Sequence, residues 1–84
     1  MKLQDLLKNI QPVEIAGDVE TEVTGVNIDS RKIKDSHLFV AMKGTQVDGH
    51  KFIPKAIELG AKSILCEDMP EEKVEGVTYV KVES

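Results

Sequence analysis

The stretch 38-LFVAMKGTQVDGHKFIPKAIELGAKSILCE-67 decides the fold of this chain. It begins with an uninterrupted apolar run at 38–42, which is typical of a strand covered on both faces. A turn-rich loop follows, with Asp48-Gly49 as its tightest point, and residues 52–60 then carry a helical apolar pattern. Residues 61–68 return as a second buried strand. This order predicts a βαβ unit with two parallel strands.

Two residues fix the limits of the predicted helix. Pro54 is compatible only with the first turn of a helix, because further in it would lose a backbone hydrogen bond and clash with the preceding turn. The helix is therefore expected to start near Phe52 or Ile53, after a tight 3₁₀ turn. Gly60 is placed to end it, since glycine readily adopts the left-handed conformation found just beyond helix ends.

The rest of the chain supplies further elements around this unit. Four aliphatic residues at helical spacing predict a short first helix that Pro12 ends: Leu3, Leu6, Leu7 and Ile10. Segments 13–18 and 19–29 predict two strands, and the alternation in 77–82 predicts a half-exposed final strand. The predicted fold class is therefore α/β, with a small mixed sheet of about five strands, flanking helices and one βαβ unit. Residues 1–84 form one domain.

Composition narrows the functional classes. Hydrophobic residues make up 40% and charged residues 31% of the 84 residues, which is an ordinary globular balance. The net charge of −4 comes from acids and bases scattered along the chain, so no basic surface for nucleic acid is expected. We find neither an export signal nor an apolar run approaching the roughly 18 residues of a membrane span. A single cysteine, Cys66, favours a reducing compartment, and a cytoplasmic location is predicted.

Two polar loops are the candidate functional segments. The loop "DSRKIKDS" at 29–36 follows the predicted strand that ends in "VNI", and "GTQVDGHK" at 44–51 follows "LFVAM". Ligands in open α/β sheets bind beyond the carboxyl ends of the strands. If the two preceding strands are parallel, both loops lie at the same edge of the sheet and form a small polar pocket.

The first loop allows three interpretations. A catalytic Ser30 would need a general base oriented by a third group, and neither His37 nor His50 lies in a recognisable arrangement with it. In a structural interpretation, Asp29 and Arg31 form turn hydrogen bonds or an ion pair and Ser30 caps the loop. In a binding interpretation, the serine hydroxyl, backbone N–H groups and a nearby cation hold a phosphate or diphosphate oxygen.

The second loop is either an ordinary surface loop or a ligand-contacting one. Gly44 and Gly49 would let its backbone approach a ligand closely, and His50 would either contact the ligand or serve as a structural group. The sequence holds no spacing of histidine, cysteine and acidic residues typical of a metal site. It also lacks the GxxxxGK[ST] phosphate loop, so ATP binding by that route is excluded.

One ordered set of motifs connects these loops to a known family. Residues 25–67 contain D-S-R, then L-F-V-A-x-x-G, then D-G-H-x-F, then A-x-x-x-G-A. This pattern resembles the N-terminal domain of the Mur ligases, ATP-dependent enzymes that add amino acids to the peptide of the peptidoglycan precursor. The segments "MKLQDLL" and "FIPKAI" resemble the MurE type, which adds the third residue, more than the MurF type, which adds D-alanyl-D-alanine. Residues 35–37 depart from the usual Pro-Gly-Asp type of turn and leave His37 without an assigned role.

The resemblance implies a non-catalytic domain of a larger ligase. ATP, Mg²⁺ and the added residue, meso-diaminopimelate or L-lysine, would be bound by a central and a C-terminal domain absent from these residues. This domain would bind no cofactor or metal and would hold the UDP moiety of UDP-N-acetylmuramoyl-L-alanyl-D-glutamate. By position in the motif, Ser30 would contact the diphosphate region beside Ile28, and Thr45, Gln46 and Val47 would line the uridine. An interaction module remains an alternative that predicts an exposed apolar patch.

Overall fold

The computed structural model describes residues 1–44 and 47–83. Two short helices and five strands follow one another along the chain, and a 3₁₀ turn precedes both β3 and α2. In chain order the elements are α1 (Leu3–Leu6), β1 (Glu14–Ala16), β2 (Gly25–Asn27), a 3₁₀ turn (Ser30–Lys32), β3 (His37–Ala41), a 3₁₀ turn (Gly49–Phe52), α2 (Ile53–Glu58), β4 (Ser63–Cys66) and β5 (Thr78–Lys81).

The five strands form one mixed sheet in the order β1-β5-β4-β3-β2. Strands β2, β3, β4 and β5 run parallel to one another, and β1 pairs antiparallel with β5. Strands β3 and β4 are adjacent and joined through α2, which confirms the predicted βαβ unit. The predicted fold class is thereby confirmed, and the carboxyl ends of β2, β3, β4 and β5 share one edge of the sheet.

The sheet buries apolar side chains on both faces, as the uninterrupted run in β3 predicts. On one face Phe39 and Ala41 join α2 through Ile53 and Ala56. On the other face Leu38 packs in a second cluster with Leu3 of α1, and with Val80 of β5. The alternation within β3 therefore places successive side chains in two different core layers.

The start and end of α2 agree with the sequence. Pro54 lies in the first turn, and the 3₁₀ turn directly precedes the helix. Gly60 follows the helix with φ +119°, a conformation that L side chains rarely adopt. Its N–H donates to the Ile57 carbonyl at 3.0 Å, which closes the last turn.

Two sequence predictions about element limits and one about burial were wrong. The helix α1 ends at Leu6, although Leu7 and Ile10 still pack partly buried against the core. A helix of four residues is too short to be stable alone, so packing of its apolar side chains stabilises it. The predicted strand 19–29 is reduced to Gly25–Asn27. Strand β5 is buried rather than half-exposed, because Tyr79 packs in one core layer and Val80 in the other.

Candidate functional site

Two side chains stabilise the shape of the loop after β2: the amide of Asn27 and the carboxylate of Asp29. The Asn27 Oδ1 atom accepts from the Asp29 N–H at 3.0 Å. Asp29 then accepts three hydrogen bonds from Arg31: its Oδ1 from the backbone N–H at 2.9 Å and Nε at 3.0 Å, and its Oδ2 from Nη2 at 3.0 Å. Asp29 is therefore the cap of the 3₁₀ turn and the acidic partner of an ion pair. The structural interpretation is confirmed for Asp29 and Arg31, but Ser30 is not the cap.

Ser30 and Ile28 lie on this fixed loop in different surroundings. Ile28 is 77% exposed at the carboxyl end of β2. Ser30 is only 7% exposed and begins the 3₁₀ turn, which packs against α2. A buried hydroxyl in a loop of defined shape is suited to a specific hydrogen bond. The exposed isoleucine beside it offers an apolar surface that a ligand could contact.

The ion pair between Asp29 and Arg31 predicts how Asp29 titrates at acid pH. The Arg31 guanidinium, followed by the Arg31 backbone N–H, lowers the pKa of Asp29 to about 2. Because the folded pKa lies below the unfolded value of about 3.9, the stabilisation by this pair is fully present above that value and is lost as pH falls through about 2. We expect Asp29 to remain ionised at about pH 3, where an ordinary Asp is mostly protonated.

An NMR pH titration of the side-chain carboxyl carbons checks this expectation. In the variant Arg31→Gln the midpoint should rise towards the ordinary Asp value, because the guanidinium donor is gone. A wild-type midpoint near 4 would contradict the predicted role of Arg31.

The loop after β3 is connected to the end of β4. The Lys43 N–H donates to Glu67 Oε1 at 2.7 Å, and the Lys43 ammonium lies 2.8 Å from Asp68 Oδ2. Hydrogen bonding and charge attraction in this pair raise the pKa of Lys43 and lower the pKa of Asp68. An isolated antiparallel β-bridge pairs the backbones of Lys43 and Asp48, so the two ends of the loop meet. We call the segments 42–44, 47–50 and 67–68 the rim.

The two polar loops leave the sheet at the same edge but at different heights. Strand β2 ends at Asn27, opposite Phe39, whereas β3 continues for two residues to Ala41. At about 3.3 Å per residue, the second loop leaves the sheet about 7 Å beyond the first. The expectation of a shared edge is confirmed for the residues that the structure describes. Thr45 and Gln46 lie outside them, and Val47 is 50% exposed.

The histidines form hydrogen bonds with groups other than Ser30. His37 Nδ1 accepts from the Lys34 N–H at 3.2 Å, at the amino end of β3. His50 Nδ1 lies 2.7 Å from Asp48 Oδ1, and its Nε2 lies 3.0 Å from each of two backbone N–H groups of the rim. Both histidines thus form hydrogen bonds away from Ser30, and activation of a Ser30 nucleophile by either of them is not supported.

Two clefts adjoin the rim. The first is polar, has a volume of about 420 Å³ and lies beyond the ends of β3, β4 and β5 with Lys43, Glu67, Asp68 and Lys81 in its wall. The second, of about 460 Å³, is mainly apolar and lies between α2 and the loop 69–76, with Ile53, Ile57 and Tyr79 in its wall. Sequence reasoning missed both clefts, because each depends on side chains brought together from distant segments.

Residues 1–44 and 47–83 contain neither a cluster of metal-ligating side chains nor a helix that could span a membrane. No group of three or more His, Cys, Asp and Glu side chains there could hold a metal ion. In the same residues no helix has the length and apolar character needed to cross a membrane.

Comparison with known sequences gives a consistent family. The model described as "Mur ligase family, catalytic domain" matches residues 22–83. The UDP-N-acetylmuramoyl-L-alanyl-D-glutamate--2,6-diaminopimelate ligase of Bacteroides thetaiotaomicron is 60% identical over 82 residues, which are 98% of this chain and 17% of that ligase. The ligase of the same name from Bacteroides fragilis is 57% identical over the same shares. The chain thus spans about one sixth of the length of these curated relatives.

Solved structures resemble the fold as well. MurF from Acinetobacter baumannii matches with a TM-score of 0.81 over 96% of this chain and 17% of its own, but the 22% sequence identity makes this a likeness of fold alone. The MurF ligase from Thermotoga maritima, in complex with ADP, matches with a TM-score of 0.61 at 30% identity over 82% of this chain and 15% of its own. The fold is therefore one found within Mur ligases.

Proposed function

The chain belongs to the Mur ligase family, and we propose that it is the N-terminal domain that anchors the UDP group of UDP-N-acetylmuramoyl-L-alanyl-D-glutamate in a MurE-type ligase. That ligase would add the third residue of the peptide in peptidoglycan biosynthesis, with meso-diaminopimelate as the preferred addition. The names of relatives that are 54–60% identical support the MurE type over the MurF type, whose solved structures are only 22–30% identical.

One observation carries the proposal. Two polar loops follow adjacent parallel strands, β2 and β3, at the edge of the sheet where ligands of α/β proteins bind. In this proposal Ser30 donates to a diphosphate oxygen, Ile28 contacts the nucleotide beside it, and Thr45, Gln46 and Val47 line the uridine. Contacts to the UDP group lie far from the reacting carboxylate, so their binding energy orients the substrate rather than forming the new bond.

The residues of this chain do not fit an ATP–Mg²⁺ site. The sequence lacks the GxxxxGK[ST] loop that cradles nucleotide phosphates, and the described residues hold no cluster of metal-ligating side chains. We therefore propose that ATP and Mg²⁺ act in the central and C-terminal domains of the ligase, beyond these 84 residues. This chain alone is expected to be inactive as a ligase, in keeping with the absence of an assigned catalytic residue. The proposed location remains cytoplasmic.

The substitution Ser30→Ala tests the site directly. A hydrogen bond to a charged group contributes about 1.5–3 kcal/mol, so the dissociation constant for UDP-N-acetylglucosamine should rise about tenfold or more. The measurement is an NMR titration of the ¹⁵N-labelled chain, in which weak binding is still readable. The matched control is Ser63→Ala, because Ser63 is also buried but lies at the amino end of β4.

Two results would count against the proposal. Equal affinities of wild type and Ser30→Ala would remove Ser30 from the site. Chemical-shift changes confined to residues away from the 28–30 loop and the rim would place the UDP site elsewhere on the molecule.

A further inference from the structure

His50 connects two strand ends that the chain separates by a helix. It lies in the 3₁₀ turn before α2, and its side chain is 13% exposed. Its Nε2 accepts from the backbone N–H groups of Glu67 and Asp68, each at 3.0 Å, just beyond β4. Its Nδ1 lies 2.7 Å from Asp48 Oδ1, which also accepts the His50 backbone N–H at 2.9 Å. The imidazole is thus a link between the loop after β3 and the end of β4, in addition to the contacts of Lys43 with Glu67 and Asp68.

These partners define the protonation state of the ring. Backbone N–H groups can only donate, so Nε2 must present a lone pair to Glu67 and Asp68. The proton of the neutral ring then lies on Nδ1 and is donated to the Asp48 carboxylate. An imidazolium would carry a second proton on Nε2, directed at two N–H donors, and both hydrogen bonds would be lost. The observed rim therefore requires neutral His50.

We propose that His50 is a positioning residue that holds the rim in its binding shape only while neutral, so that UDP binding weakens when His50 is protonated. This inference rests on the proposed function, because the rim contains Val47, one of the residues proposed to line the uridine. It assigns a role to the histidine of the D-G-H-x-F motif.

Several other charged groups lie around His50. Hydrogen bonds from the His50 backbone N–H and ring lower the pKa of Asp48, and the Lys43 ammonium lowers the pKa of Asp68. Asp68 raises the pKa of Lys43 in turn. The other charged residues that line the two clefts beside the rim are Glu67, Glu72, Lys81 and Glu83. Carboxylates and ammonium groups normally titrate outside the range of about pH 5 to 8, so imidazole is the group that changes charge there.

The first experiment needs no ligand. Long-range ¹H–¹⁵N spectra of the imidazole rings in the complete 84-residue chain report which nitrogen carries the proton. We expect His50 to carry it on Nδ1 at about pH 8, and the amide signals of Glu67 and Asp68 to shift with the His50 midpoint as pH is lowered to about 5. His37 is the internal control, because its ring accepts the Lys34 N–H at the opposite end of β3. A proton on Nε2, or amide signals that ignore the His50 titration, would overturn the proposal.

The second experiment adds a nucleotide. UDP-N-acetylglucosamine is the probe, because its esterified diphosphate lacks the second phosphate ionisation near pH 6. Loss of two hydrogen bonds in the rim should raise its dissociation constant about three- to tenfold between pH 8 and pH 5. The variant His50→Gln keeps an acceptor for the two N–H groups but cannot titrate, so its affinity should not change with pH. The control His37→Gln should retain the wild-type dependence.

The outcomes separate this inference from the proposed function. If wild type fails to bind the nucleotide at every pH while the amide coupling persists, the UDP site is wrong and the pH-dependent rim stands. If wild type binds with the same affinity at both pH values, or if His50→Gln keeps the wild-type pH dependence, the positioning role is wrong and the UDP site stands.

Discussion

Phe39→Ala is expected to lower the free energy of unfolding by about 3–5 kcal/mol. Phe39 is 1% exposed in the middle of β3, and its ring lies in the core layer between the sheet and α2. Truncation removes buried apolar surface and leaves a cavity that β4 and α2 can only partly fill. A domain of this size is stable by about 4–13 kcal/mol in total, so the variant should lose a large part of its stability.

Urea unfolding followed by circular dichroism measures this loss. Because Phe39→Ala can fail to fold, Phe39→Leu serves as a second variant, with an expected loss below about 1.5 kcal/mol. Val26→Ala is the matched control in the neighbouring strand β2, where the side chain is 52% exposed and the change should stay within about 0.5 kcal/mol. A loss below about 1 kcal/mol for Phe39→Ala would mean that the ring does not fill the core as described.

Sequence reasoning identified the βαβ unit because burial on both faces leaves a direct signature. An uninterrupted apolar run has no polar face to expose, so 38–42 indicated an interior strand. Strand β5 carries no such signature, since Thr78 and Lys81 interrupt it. Thr78 is nevertheless 2% exposed, because its hydroxyl donates to the Asp18 carbonyl at 2.8 Å and accepts the Asp18 N–H at 3.0 Å. A partner 60 residues away in sequence made a polar residue suitable for the interior.

In the candidate site, too, the sequence predicted some features and not others. Loops after parallel strands share an edge by topology, so the placement of Ser30 and the loop after β3 followed from the strand assignment. The hydrogen bonds and ion pair between Asp29 and Arg31 were also predicted, because the two residues are neighbours in a turn, although the cap was assigned to Ser30 instead of Asp29. The hydrogen bonds of His50 were not, since its partners Glu67 and Asp68 follow the next strand. Local chemistry was predictable, and contacts between the ends of different strands required the structure.

Gly60→Ala is expected to destabilise the chain by about 2–6 kcal/mol, through two separate effects. The backbone has φ +119°, which strains any L residue and costs about 1–3 kcal/mol. A Cβ atom would also lie 2.9 Å from the Asp35 Cα and 3.1 Å from its N atom. Those are backbone atoms, so no side-chain rotation relieves the clash, and overpacking of this kind costs a further 1–3 kcal/mol, roughly.

Gly76→Ala isolates the first effect. Gly76 has φ +89°, but a Cβ there would meet nothing within 4 Å, so only the backbone strain of about 1–3 kcal/mol is expected. The difference between the two variants in urea unfolding measures the clash with Asp35, and equal losses would contradict it. The clash should also lengthen one hydrogen bond, which the Ser36 N–H donates to the Gly60 carbonyl at 2.8 Å.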